Sequence, residues 1–224
     1  MAGIPKPYCM HQLNIAGAAL HPPLRYAIAV TAMASANAPE LVGSLARACE
    51  TALPVLEMVR FVELSRESLL KMISTIGTPR VINGTAALMD AVSESIKKHL
   101  PTTSRRSKER YSYDTIRERG LELWRGVYSS QADKLERKIA GWNPELIEVI
   151  QTDLYGRLLS DCQLLDIKST ELCTIGALLP INVPSQLKSH VLGAERHGAS
   201  ADEIAAAKAI AELVCTQSSG IMDT

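Results

Sequence analysis

Two side chains stand out for the chemistry they could do together: Glu171 and His190, nineteen residues apart. Each lies in an apolar, helix-like segment, and a break around Asn182 separates the two segments. Counted from that break they sit about 11 and 8 residues away, or roughly 16 and 12 Å along a helix, so two antiparallel helices would bring them to similar heights. A carboxylate beside an imidazole in an apolar pocket can hold or pass a proton, because each group tunes the other's affinity for it. The same pair can also be a purely structural buried contact, and spacing alone favours that plainer role. His197, seven residues after His190, suits a helix end, where an imidazole meets the dipole. Cys173, two residues after Glu171, points to another helix face and reads as a buried thiol. The five cysteines (9, 49, 162, 173, 215) are scattered and never form a CxxC pair. They support neither a disulfide framework nor a zinc site, and no metal or organic cofactor is expected.

The elements that must hold these residues are helical. Apolar-periodic stretches run over Leu24–Ala36, Glu40–Thr51, Val55–Ile76 and Val81–Leu100, with breaks at Asn37-Ala-Pro39, Gly77-Thr-Pro79 and Pro101. Residues 101–113 are polar, basic and non-periodic, which reads as a solvated linker. Three more helices follow, Asp114–Tyr128, Ser130–Ala140 and Pro144–Ser160, the last with Asn143 as its cap and Pro144 in the first turn. Ile167–Leu179 and Ser185–His197 flank the break at Pro180–Pro184, and Gly198 ends the second of them. Ser200-Ala-Asp-Glu203 is a capping box that opens a last helix through Val214.

The later segments echo the earlier ones. A shift of 145 places Asn37 on Asn182, Pro39 on Pro184, Ser44 on Ser189, Glu50 on Glu195 and Ala32 on Ala177, five identities in 31 gapless positions. With the shared helix–break–helix pattern, this reads as a degenerate internal repeat: a first module over 21–100, the linker 101–113 and a second module over 114–224. Neither copy can bury its apolar faces alone, so one packed pseudo-symmetric body is expected. The first copy has Tyr26 and Leu45 where the second has Glu171 and His190, which confines any active pair to the second.

Composition agrees with an all-α class. Of 224 residues 46% are apolar but only one is Phe and two are Trp, so Ala, Leu and Ile must fill the core. Lys and Arg total 24 against 24 Asp and Glu, and this neutrality argues against nucleic acid or an anionic membrane surface as the main partner. No apolar run approaches the ~20 residues of a membrane span. The start of the chain lacks the character of a signal or transit peptide, and Ile-Met-Asp-Thr is not a recognised targeting tail, so the cytoplasm is the default expectation, with mitochondrion and peroxisome left open.

Three runs carry a family resemblance: Lys168-Ser-Thr-Glu-Leu-Cys-Thr-Ile-Gly-Ala-Leu, Gln186-Leu-Lys-Ser-His190-Val-Leu-Gly-Ala, and His197-Gly-Ala-Ser-Ala-Asp-Glu-Ile204. Together with Arg117-Glu-Arg-Gly-Leu-Glu-Leu-Trp, Asp153-Leu-Tyr-Gly-Arg-Leu and Ile76-Gly-Thr-Pro-Arg-Val-Ile-Asn-Gly, they resemble the carboxymuconolactone decarboxylase family, which includes the alkylhydroperoxidase D-like proteins. The resemblance implies an all-α fold and oligomers with sites near subunit interfaces. Its peroxidase-like branch uses a Cys-x-x-Cys-x-x-x-His motif, and here the two cysteine positions are Val183 and Gln186, so no thiol chemistry can run.

The decarboxylase branch acts on a small carboxylated lactone without a cofactor. By that resemblance His190 is the acid/base that delivers the proton replacing CO2, and Glu171 its partner. The arginine often found before the glutamate is represented by Lys168 or nothing, leaving Lys188 and Arg157 as substitutes to bind the substrate carboxylate. The first functional expectation is therefore a cofactor-free decarboxylase or related lyase on a small carboxylated lactone or keto acid. The alternative is a non-catalytic helical oligomer serving assembly or ligand binding. Fusion of two modules in one chain points to a homotrimer, or to a dimer if the interface has drifted.

Overall fold

The computed structural model describes residues 10–106 and 111–222, with side chains to 218. All regular structure among them is helical. Part of the expected linker, 107–110, and Cys9 lie outside the described residues.

At the centre are two helices buried along nearly their whole length, most of their side chains small or apolar. These are α2 (Pro22–Ser35), opened by two prolines that need no partner for an N–H, and α11 (Ile167–Leu178), capped by Asp166 accepting from Ser169 N. They run parallel and in register. The Thr31 hydroxyl donates to Cys173 O at 3.4 Å and the Ser35 hydroxyl to Ala177 O at 2.5 Å, a step of four residues on each helix. Gly176 makes the approach possible, since a Cβ there would lie 2.9 Å from Ile28 Cγ2 and 3.3 Å from Ile28 O.

Around this seam the chain repeats a path. Helix α3 (Pro39–Ala52) follows α2, as α12 (Pro184–Arg196) follows α11. Helix α4 (Val55–Lys71) then packs on α2, and α13 (Ala201–Met222) packs on both α11 and α2. The two turns are built alike. Asn37 and Asn182 hold φ of 56° and 52°, a left-handed conformation that asparagine tolerates. The residues after them, Ala38 and Val183, cap with φ/ψ of −117°/65° and −115°/76°, and a proline opens each following helix.

Several elements depart from the sequence expectation. A short helix α1 (Met10–Ala16) precedes α2, and Arg25 ties the connection through Gly17 O at 2.8 Å and Leu20 O at 2.7 Å. Seven residues are too few to show a period. The segment expected as Val55–Ile76 breaks at Met72 into α4 and a one-turn α5 (Ile73–Ile76). That expected as Val81–Leu100 divides into α6 (Thr78–Ala91) and α7 (Glu94–Lys97). The expected solvated linker is instead strapped down. Arg105 pairs with Glu63 at 2.5 Å and Arg106 grips both oxygens of Glu67, because the two glutamates stand one helical turn apart on α4. Tyr111 donates to the Asp161 carboxylate.

Helices α8 (Tyr113–Tyr128), α9 (Ala132–Trp142) and α10 (Pro144–Val149) form the lead into the second half. Helix α10 continues as a π-helical segment over Ile150–Leu159, whose last bond is Ser160 N to Tyr155 O at 2.8 Å. This segment crosses α8 at two glycines: a Cβ on Gly120 would stand 1.9 Å from Gln151 O, and one on Gly156 2.0 Å from Ile116 O. Backbone carbonyls cannot move aside as flexible side chains do. Gly120→Ala is therefore expected to lower the unfolding free energy in urea by about 3 kcal/mol or more. Gly141→Ala, on an exposed turn of α9 where a Cβ would meet nothing within 4 Å, should be neutral or stabilising by up to about 1 kcal/mol. Equal effects at the two sites would refute this crossing.

Candidate functional site

Glu171 lies midway along α11, where every residue from Thr170 to Leu178 is buried. His190 lies on the inner face of α12 with Gly193 and Ala194. The turn at Asn182 brings α12 back along α11, and His190 Nδ1 meets Glu171 Oε2 at 2.8 Å. The pair is largely buried: the side chains are 8% and 0% exposed. Gly193 lets the carboxylate press on α12, since a Cβ there would lie 2.6 Å from Glu171 Oε2 and 3.3 Å from Val127 Cγ1 of α8. The second carboxylate oxygen, Oε1, is buried without a hydrogen-bond partner.

An aromatic cluster closes the α8 side. Trp124 lies tilted at 47° against Tyr128, ring centroids 4.3 Å apart, and meets Tyr155 edge-on at 5.3 Å, while Tyr155 donates its hydroxyl to Tyr128 at 3.0 Å. Burial pushes both phenols up, Tyr155 well above its ordinary value with the Tyr128 hydroxyl adding to the rise, while the Glu171 carboxylate is the smallest cause at each ring. Neither ring can take up or release a proton near neutrality.

The expected substrate anchors are elsewhere. Arg157 is exposed on the π segment and pairs with Asp153 at 3.6 Å. Lys188 is exposed on α12, two residues from His190 and so on the far side of the helix. Lys168 is held by Glu203 at 2.8 Å, and Glu203 in turn closes the capping box with Ser200. Among the described residues no ion pair or hydrogen bond joins any of these cations to Glu171 or His190. His197 sits at the end of α12 with Nδ1 donating to Gly193 O at 2.7 Å. The Cys173 thiol is buried and pushed up to about 12 by that burial. The counterparts in the first half are apolar or singly bonded: Leu45 is buried, and Tyr26 donates to Asn14 at 2.8 Å.

One buried charge escaped the sequence reading. Lys71, at the end of α4, has no exposed surface, and its ammonium spends its three N–H groups on Leu159 O (3.1 Å), Leu165 O (3.2 Å) and Thr170 Oγ1 (2.6 Å). It joins α4 to the end of the π segment and to the residue preceding Glu171. Burial holds its pKa below the ordinary lysine value. Its one sequence signal was a place on the buried face of α4, seven residues after Leu64.

The fold and site define, among the described residues, an all-helical protein with a buried carboxylate–imidazole pair. In comparison with known proteins, the chain is 28% identical over 193 residues to "Peroxisomal protein 2" of Schizosaccharomyces pombe, covering 86% of this chain and 85% of that one. It is 27% identical over 168 residues to "Peroxisomal protein 2" of Saccharomyces cerevisiae, covering 66% of this chain and 59% of the length of that relative. No family model and no solved structure matches the chain. Both relatives are named for the peroxisome and neither for a decarboxylase, which overturns the expectation of a carboxy-lyase. The geometry agrees: the pair is almost wholly buried, and among the described residues no ion pair or hydrogen bond brings a cation to it. No helix among the described residues is long and apolar enough to cross a membrane.

Two measurements check the site. Lys71→Ala should cost about 3 kcal/mol in chemical unfolding, from the cavity and three lost hydrogen bonds; a change under about 1 kcal/mol would contradict the anchor. For Tyr155, the folded pKa lies above the unfolded one, so its contribution is complete below about pH 10 and is lost as pH rises through the folded value. Relative to Tyr155→Phe, the wild-type chain should lose about 1.4 kcal/mol per pH unit above about pH 10; parallel curves would show the phenol to be solvated.

Proposed function

We propose that this is a non-catalytic peroxisomal protein whose helical body works by association, with Glu171–His190 fastening α11 to α12. The observation that carries the reading is the closure of the pair: a buried carboxylate bonded to a buried imidazole, pressed by Gly193 and roofed by aromatic rings. Such a pair resists separation, and little of it is open to solvent. The names of the two fungal relatives support the compartment.

In the same reading the chain is a duplicated helical module related in fold to the carboxymuconolactone decarboxylase family. Support comes from the matched starts of α2 and α3 with α11 and α12, 145 residues apart, and from the matched asparagine turns. The self-partner is a second or third copy of the chain. Its support is an apolar surface on α9 and α10, where Trp142 is 67%, Leu146 44% and Val149 45% exposed. In light scattering after size exclusion the chain should have the mass of a dimer or trimer, and Trp142→Lys should shift it toward the monomer. A monomeric mass for the unmodified chain would refute assembly. A fluorescently tagged full chain expressed in yeast should coincide with a peroxisomal marker; an even cytosolic signal would refute the compartment.

A further inference from the structure

A cavity of about 290 Å3 lies between α4, α6 and the strapped segment 101–106, and neither Glu171 nor His190 lines it. Its volume is at the lower end for small-molecule sites, roughly 300–1,000 Å3. One wall is apolar, made of Leu70, Val81 and Leu164. The charged wall holds Arg66, Arg105 and Arg106 against Glu63 and Glu67, three positive groups to two negative, a surplus of one. Arg105 and Arg106 are committed to the two glutamates, leaving Arg66 without an ion-pair partner among the described residues. Arg106 keeps a further donor: its Nε is buried and bonds to nothing, although its other two nitrogens hold Glu67.

A buried N–H left unpaired costs about 1–3 kcal/mol, and a cation lining a concavity beside it asks for an acceptor. We propose that this cavity binds a small amphipathic monoanion, a monocarboxylate with a short aliphatic tail. Arg66 and Arg106 Nε receive the carboxylate, and Leu70, Val81 and Leu164 receive the tail. A single negative charge neutralises the surplus, whereas a dianion would leave charge uncompensated next to Glu63 and Glu67. An inorganic anion would leave the apolar wall uncovered. The site involves no bond making and is independent of the association reading, since none of its residues lies on α9 or α10.

The test is calorimetric titration of the full chain with octanoate, octanol and inorganic phosphate in turn. Octanoate should bind at one site per chain, with octanol and phosphate at least about tenfold weaker. Arg66→Gln should weaken octanoate about tenfold or more, and Thr85→Phe, which places a ring in the cavity from α6, should abolish it. Both variants should keep the wild-type unfolding temperature within a few degrees, so lost binding cannot be lost folding. The proposal is overturned if octanoate gives no heat, if octanol matches it, if phosphate binds as well, or if Arg66→Gln binds unchanged.

Discussion

The parallel contact between α2 and α11 is the constraint from which the rest of the structure follows. Two helices lying this close need small residues at the seam, and Gly176, Ala177, Thr31 and Ser35 supply them. The hydroxyls add hydrogen bonds to carbonyls of the neighbouring helix, in a region where no water competes. This accounts for a core rich in alanine and poor in aromatics. Because the seam joins an early helix to a late one, the two halves cannot separate into domains. Helices α4 and α13 then complete the burial of the central pair.

The buried pair is a consequence of that arrangement. Helix α11 is held along one side by α2 and at its base by Lys71, which bonds to Thr170. The asparagine turn sets α12 antiparallel to it, and α8 closes the remaining side with Val127 and the aromatic rings. Within this frame Glu171 and His190 meet at 2.8 Å and are largely buried. The first half keeps the frame with Leu45 and Tyr26 in their places, showing that the helix–turn–helix unit does not depend on the ionisable pair.

Much of this was legible in the sequence. The helical class, the breaks at Asn37 and Asn182, the cap at Asn143 and the reach of Glu171 to His190 all follow from local patterns of polarity and chain-breaking residues. What was not legible depends on partners distant in sequence. Lys71 reads as an ordinary helix-terminal cation until Leu159, Leu165 and Thr170 surround it. The 101–106 segment reads as solvated until Glu63 and Glu67 meet its arginines. The π-helical segment lies where Gly156 crosses Gly120 of α8, a partner 36 residues away that no local pattern within 150–159 reveals. The activity suggested by resemblance failed for a different reason. Family motifs record the helices that frame a site, whereas chemistry also requires access and a group to hold the substrate, neither of which those motifs contain.

The central claim is that Glu171 and His190 stabilise each other as a buried clamp, and a double-mutant cycle in chemical denaturation tests it most directly. The cycle compares Glu171→Gln, His190→Leu and the double variant with the wild-type chain at neutral pH. A clamp predicts that each single change destabilises by about 2 kcal/mol or more and that the pair is coupled by about 1–3 kcal/mol. Single changes that leave stability intact, with coupling below about 0.5 kcal/mol, would contradict the account and return the pair to a role other than holding the fold.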